Sequence, residues 1–200
     1  MKEALTKELD QFKLVVFDLD HTLYNEHNYL FQAYASIGRK LEVKTGIPSD
    51  DITDFLRNRF KNYGRHLIFD QMRMHFKLHK NVTGLCIDVL RGVKPKHKLE
   101  LFDCVLETFD YLLANGKQIA ILTNGHPRQQ RNKIEHINWH GYKDKIKIYL
   151  AAEIEPKPSP AGLFQILHDF KMDPEEIAFV GDAHIDESCA IKAGVKFFYV

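Results

Sequence analysis

Asp18 and Asp20 stand one leucine apart, directly after the apolar run Leu14-Val15-Val16-Phe17. An unbroken run of bulky and β-branched residues reads as a strand buried on both faces. Residues two apart on extended backbone point the same way, so both carboxylates leave the strand end on one side. Like charges that close repel, and a divalent cation is the simplest compensation. A plain Asp-rich turn after a strand is the competing reading. Further along, Thr123-Asn124-Gly125 closes the apolar run 118–122, and Gly181-Asp182 closes 177–180 with Asp186 four residues on. Between them, Glu155-Pro156-Lys157-Pro158-Ser159-Pro160 carries three prolines, which stiffen the loop around Lys157. Several carboxylates at one edge invite Mg²⁺, a hard cation that shares oxygen ligands with a substrate phosphate. A carboxylate can attack phosphorus, and a second carboxyl can protonate the departing alkoxide. Mg²⁺, Lys157 and the Thr123 hydroxyl can neutralise the phosphoryl oxygens.

The elements that must position these groups fall into three stretches. One strand and its acidic loop cover residues 12–22. Residues 23–97 read as all-helical. One helix spans Glu26 to Val43, a second is capped by Ser49, a third covers His66 to His79 and a fourth runs near Thr83 to Leu90. From Lys98 onward strand and helix alternate, beginning with a helix from Lys98 to Ala114 that turns Leu99, Phe102, Val105, Leu106, Phe109 and Leu113 inward. Alternation of this kind predicts an α/β fold with a parallel sheet and right-handed crossovers. In such sheets ligands bind outside the carboxyl ends of the strands, where all the groups named above converge.

The four motifs, in this order and at these strand ends, resemble those of the haloacid dehalogenase superfamily. They are Asp18-Leu-Asp20-His-Thr22, Thr123-Asn-Gly, Lys157-Pro and Gly181-Asp182-Ala-His-Ile-Asp186. The resemblance spans nearly the whole chain. It implies a Rossmann-like core of residues 1–22 and 98–200, a parallel sheet sandwiched by helices. It also implies a small helical cap domain of residues 23–97, hinged near Leu23 to Glu26 and Arg91 to Lys98. It makes Asp18 the nucleophile and Asp20 the general acid and base, with Asp20 also lending its backbone carbonyl to Mg²⁺. Thr123, Asn124 and Lys157 would hold the phosphoryl group. Asp182 would ligate Mg²⁺ directly, and Asp186 would ligate it or hold its waters. His21 and Ala183 fill slots where the family more often has other small or polar residues, and neither displaces a catalytic group. Halide needs no proton on departure, so the acid at Asp20 favours phosphoryl transfer over dehalogenation. The implied activity is Mg²⁺-dependent hydrolysis of a small phosphorylated metabolite through an aspartyl phosphate. A phosphomutase, and an inactive binding or regulatory protein on the same scaffold, are the alternatives.

Composition sets the outer bounds. The chain has 200 residues, 44% of them hydrophobic, and a formal net charge of +1, which argues for neither a nucleic-acid nor a membrane partner. No apolar stretch is long enough to span a bilayer. Met1 to Gln11 lacks an apolar signal core, and three scattered cysteines without a CxxC fit reduced thiols, so a cytoplasmic location is expected. The charge is uneven: residues 23–97 hold 13 Lys and Arg against 7 Asp and Glu, and five of the eleven histidines. A basic insertion would draw in anionic substrates, or simply be a solvated helical surface. Monomer and dimer both stay open.

Overall fold

Leu14–Phe17 forms β1, with all four side chains buried. It is the middle strand of a five-stranded, all-parallel sheet in a computed structural model that describes residues 7–200. The reading of the charged N-terminal stretch therefore lies partly outside the described residues. The remaining strands are β2 (Leu99–Glu100), β3 (Gln118–Thr123), β4 (Ile137–Asn138), β5 (Ile146–Leu150), β6 (Ile177–Gly181) and β7 (Lys196–Tyr199). The large sheet has the order β5-β3-β1-β6-β7, and β2 pairs with β4 in a separate two-stranded piece. The helices are α1 (His27–Thr45), α2 (Ser49–Tyr63), α3 (Ile68–His75), α4 (Asn81–Gly92), α5 (Asp103–Ala114), α6 (Pro127–His136), α7 (Ala161–Phe170) and α8 (His184–Ala193).

The chain divides into two compact units. One takes in the residues up to Glu26, then Leu99–Gln130 and Ile137–Val200; the other takes in His27–Lys98 and Arg131–His136. The expected boundaries at 22/23 and 97/98 shift for physical reasons. Tyr24 makes backbone bridges with Asp20 and Leu101 and is fully buried, which ties residues 23–26 to the α/β unit. The second half of α6 belongs to the helical unit. There the Lys133 ammonium lies 5.0 Å from the Tyr29 ring centroid, and Asn132 donates to the Arg91 carbonyl at 3.3 Å.

In the α/β unit the apolar core is made of strand residues and the helix faces laid on them. Val16, Ala120, Phe179, Leu163, Ile166 and Ala190 belong to one buried cluster. Gly162 lets α7 press onto β3, since a Cβ there would sit 2.7 Å from a Leu122 methyl. The predicted helix from Lys98 is corrected. Leu99 and Leu101 are buried and Glu100 between them is exposed, a period of two that belongs to β2 and its bridge to Tyr24. The helix begins only at Asp103. Phe102 is exposed, and Leu112 rather than Leu113 is fully buried.

In the helical unit, α1 lays Tyr29, Leu30, Ala33, Ile37 and Leu41 inward. Gly38 allows its close crossing with α2, because a Cβ there would collide with Thr53 and with the Ser49 carbonyl. Ser49 is the first residue of α2, not its cap; Pro48 takes the cap position and no side chain caps the helix. The third helix is shorter than expected, 68–75, because Leu67 and Lys77 at its two ends take positive φ. No helix among the described residues is long and apolar enough to cross a membrane.

All three cysteines are free thiols. Burial pushes the Cys86 thiol up to about 12 and that of Cys189 to about 11. Only the thiolate reacts. In the folded protein at pH 8, iodoacetamide should therefore modify Cys104 at least about a hundredfold faster than the other two. Unfolding in guanidinium should erase the difference, as peptide mass spectrometry would show.

Candidate active site

Three parallel neighbours, β3, β1 and β6, end on the same edge in close register. Phe17 of β1 lies opposite Ile121 of β3 and Val180 of β6. Asp18 follows β1, Thr123 ends β3 with Asn124 next to it, and Asp182 follows β6. Alternating strands and crossover helices thus bring together groups far apart in sequence.

Lys157 sits at the centre. Its side chain is 1% exposed, and its ammonium donates to Asp18 Oδ1 at 2.6 Å, Asp186 Oδ1 at 2.5 Å and the Leu122 carbonyl at 3.1 Å. Asn124 places that lysine by a two-point clamp. Its Oδ1 accepts the Lys157 backbone N–H at 2.8 Å, and its Nδ2 donates to the Lys157 carbonyl at 2.9 Å. The Lys157–Pro158 peptide is cis. Asp186 lies in the first turn of α8, where its Oδ2 accepts the Ala183 N–H at 3.2 Å. Gly181 makes room for it, since a Cβ there would come within 2.7 Å of Asp186 Oδ2.

Electrostatics at this edge are unbalanced toward negative charge. Burial, then the nearby Asp186 and Asp20, push the Asp18 carboxyl up to about 7 against the pull of Lys157. Burial alone would lower Lys157, but Asp18 and Asp186 outweigh it and hold the ammonium charged. Burial also raises Asp182, against the pull of His21. Lys157 pulls on Asp18 and Asp182, and His21 on Asp182, against four closely placed carboxylates, Asp18, Asp20, Asp182 and Asp186. Asp18, Asp182 and Asp186 each offer an oxygen, all within 4.8 Å of one another, and among the described residues they form the one such carboxylate group. Hard oxygen donors, close together and under-compensated, fit a divalent cation such as Mg²⁺.

The Asp20 carboxylate stands outside that trio. It accepts from the Tyr24 hydroxyl at 2.6 Å and from Gln130 Nε2 at 3.1 Å. The same Gln130 nitrogen donates to Thr123 Oγ1 at 2.7 Å. Gln130 is 1% exposed, and sequence reasoning missed it, because a polar residue on a helix is by default a solvated one. The signal available was its place one turn into α6, close behind the Thr123-Asn124-Gly125 loop. Gly125 has φ 129°, and a Cβ there would press on the Gln130 side chain at 3.0 Å. His21 takes positive φ at 62°, and its Nε2 lies 3.5 Å from Glu26 Oε2. The structure thus brings together every candidate in the α/β unit: Asp18, Asp20, Thr123, Asn124, Lys157, Asp182 and Asp186.

A model of the haloacid dehalogenase-like hydrolases matches residues 15–200. The chain belongs to that family. This hydrolase is 26% identical over 192 residues to phosphoglycolate phosphatase 1 of Pseudomonas aeruginosa, an alignment covering 92% of this chain and 67% of that protein. Among solved structures it superposes on a HAD-superfamily hydrolase of subfamily IA from Geobacter sulfurreducens with a TM-score of 0.63 at 19% identity. That match covers 94% of this chain and 87% of the other. A HAD phosphatase from Thermococcus onnurineus gives a TM-score of 0.62 at 21% identity, covering 94% and 86%. At these identities the two structures speak for a shared fold.

Proposed function

We propose that this hydrolase cleaves a small phosphate monoester, with Mg²⁺ as cofactor and Asp18 as the attacking group. The observation that supports it most is the convergence of Asp18, Asp182 and Asp186 around one buried lysine, with Asp20 held beside them by Tyr24 and Gln130. Relatives named as phosphoglycolate phosphatases agree with a phosphate ester as substrate.

Asp18, Asp182 and Asp186, with the Asp20 backbone carbonyl, would hold the Mg²⁺. When bound, the ion would neutralise phosphoryl oxygens and relieve the repulsion among the carboxylates. A carboxylate oxygen of Asp18 attacks phosphorus, and the P–O bond to the alcohol breaks. Asp20 gives its proton to the departing alkoxide. Asp20, now ionised, takes a proton from water, and the resulting hydroxide attacks the aspartyl phosphate. Phosphate leaves and the Asp18 carboxylate is restored. Thr123, Asn124 and Lys157 supply donors and positive charge to the phosphoryl oxygens. Phosphate release from a broad metabolite panel, with and without Mg²⁺, tests the reading; no release from any monoester in the presence of Mg²⁺ would overturn it. Isomerisation of a sugar phosphate in place of release would point to the mutase alternative.

Gln130 gives a prediction that separates positioning from chemistry. A leucine at 130 keeps the volume but leaves Asp20 and Thr123 without a shared donor. An unmade buried hydrogen bond costs about 1–3 kcal/mol, so Gln130→Leu should lower kcat about ten- to a hundredfold. The loss should fall on kcat with KM little changed, while the far-ultraviolet circular dichroism stays as in the parent. A merely structural role would lower the melting temperature and leave kcat per folded molecule in place.

A further inference from the structure

A second concave site lies wholly within the helical unit, formed by α1, α2 and the segment 93–97. It is a cavity of about 210 Å³, and every charged side chain lining it is basic: Arg39, Arg57, Lys94, Lys96 and His97. None of the four Arg and Lys forms an ion pair with a carboxylate among the described residues. The segment is fixed rather than loose. The Gln32 side chain accepts the His97 N–H at 2.9 Å and donates to the His97 carbonyl at 3.3 Å, which binds the backbone carrying Lys96 and His97 to α1. Arg39 is steadied by a bond to Ser36 Oγ at 3.0 Å. Arg57 lies with its guanidinium 5.6 Å from the Phe31 ring centroid, and its Nε is buried with no hydrogen-bond partner. A buried N–H of a charged group without an acceptor is costly, as is a cluster of like charges in a cleft that focuses their field. An oxyanion in the cavity would offset the clustered positive charge, and arginine forks match phosphate and carboxylate oxygens.

We infer that this cavity binds a small polyanion, a molecule carrying at least two phosphate or carboxylate groups, at a site built by Arg57, Arg39, Lys94 and Lys96. Its several cations suit multiple charge more than a single monoanion. The inference does not depend on the hydrolytic reading, since none of these residues belongs to the catalytic set.

Inorganic pyrophosphate and citrate are suitable probes, titrated calorimetrically into the full chain after metal has been stripped on a chelating resin and with no soluble chelator or divalent cation present, so that the carboxylate edge has no metal to attract an anion. Backbone amide shifts report the place of binding. Both probes, or pyrophosphate alone if the site prefers phosphate, should bind and perturb the amides of 32–39 and 93–97. Arg57→Met should weaken binding at least tenfold. The same substitution removes the unpartnered Nε, so without ligand it should melt at or above the parent temperature. Arg39→Met with Lys96→Met provides a second variant should the first fail to fold. Binding unchanged in both variants, shifts confined to other residues, or an equal response to chloride at matched ionic strength would overturn the assignment.

Discussion

Asp18→Asn should abolish turnover, by at least about 10⁴-fold, while the protein stays folded and is no less stable than its parent without metal. Asparagine fills the same space but cannot bond phosphorus as a nucleophile. Its amide oxygen can still accept from Lys157 where Asp18 Oδ1 does now. It also removes one of the crowded negative charges. Burial already pushes the Asp18 carboxyl up to about 7, a sign that its ionised form is costly where it lies. The parent should gain more thermal stability from Mg²⁺ than the variant does, because the variant keeps only two carboxylates of the trio. Thermal melts in EDTA and in Mg²⁺, beside assays on the best substrate of the panel, read both effects. Residual activity near that of the parent would remove Asp18 as the attacking group.

Lys157→Met should lose both activity and stability. Among the described residues the lysine is the one cation bonded to Asp18 and Asp186, and all three side chains are nearly fully buried. Removing one partner from a buried ionic cluster typically costs about 3–5 kcal/mol, because the others are left charged in a poor solvent. For a chain of this size that is a fall of roughly 6–20 °C in melting temperature. Turnover should fall about 10²–10³-fold, the usual loss when one preorganised charge facing a transition state is removed. Mg²⁺ should restore part of the stability and little of the activity. It can neutralise the carboxylates, but it does not replace the donor fixed by the Asn124 clamp. A variant as stable in EDTA as the parent would contradict the charge balance read from these contacts.

Much of the α/β unit was legible in the sequence because its signals are local. Leu14–Phe17 and Ile177–Gly181 are short apolar runs that end in polar residues, and such runs admit few other readings in a parallel sheet. Asp18, Thr123, Lys157 and Asp182 stood out because each follows one of these runs or sits in a proline-stiffened loop. The errors came where two periods overlap. Leu99, Phe102, Val105 and Phe109 fit a helical stripe, yet the backbone of Leu99 pairs with Ile137, a partner 38 residues away that no local pattern reveals. Gln130 was invisible for a related reason: its buried state comes from Asp20, 110 residues distant. The unit boundaries shifted because Tyr24 and the second half of α6 take their partners from non-adjacent segments.

Gly181 is the last residue of β6, and the carboxylate of Asp186 occupies the space its missing side chain leaves. One methyl group added there would force the Asp186 side chain to shift from its place beside Lys157 without altering any atom that reacts. A descendant of this chain could thus fall silent as a catalyst by a single small step, with all its signature aspartates still in place, and inspection of those aspartates alone would mistake it for a working enzyme.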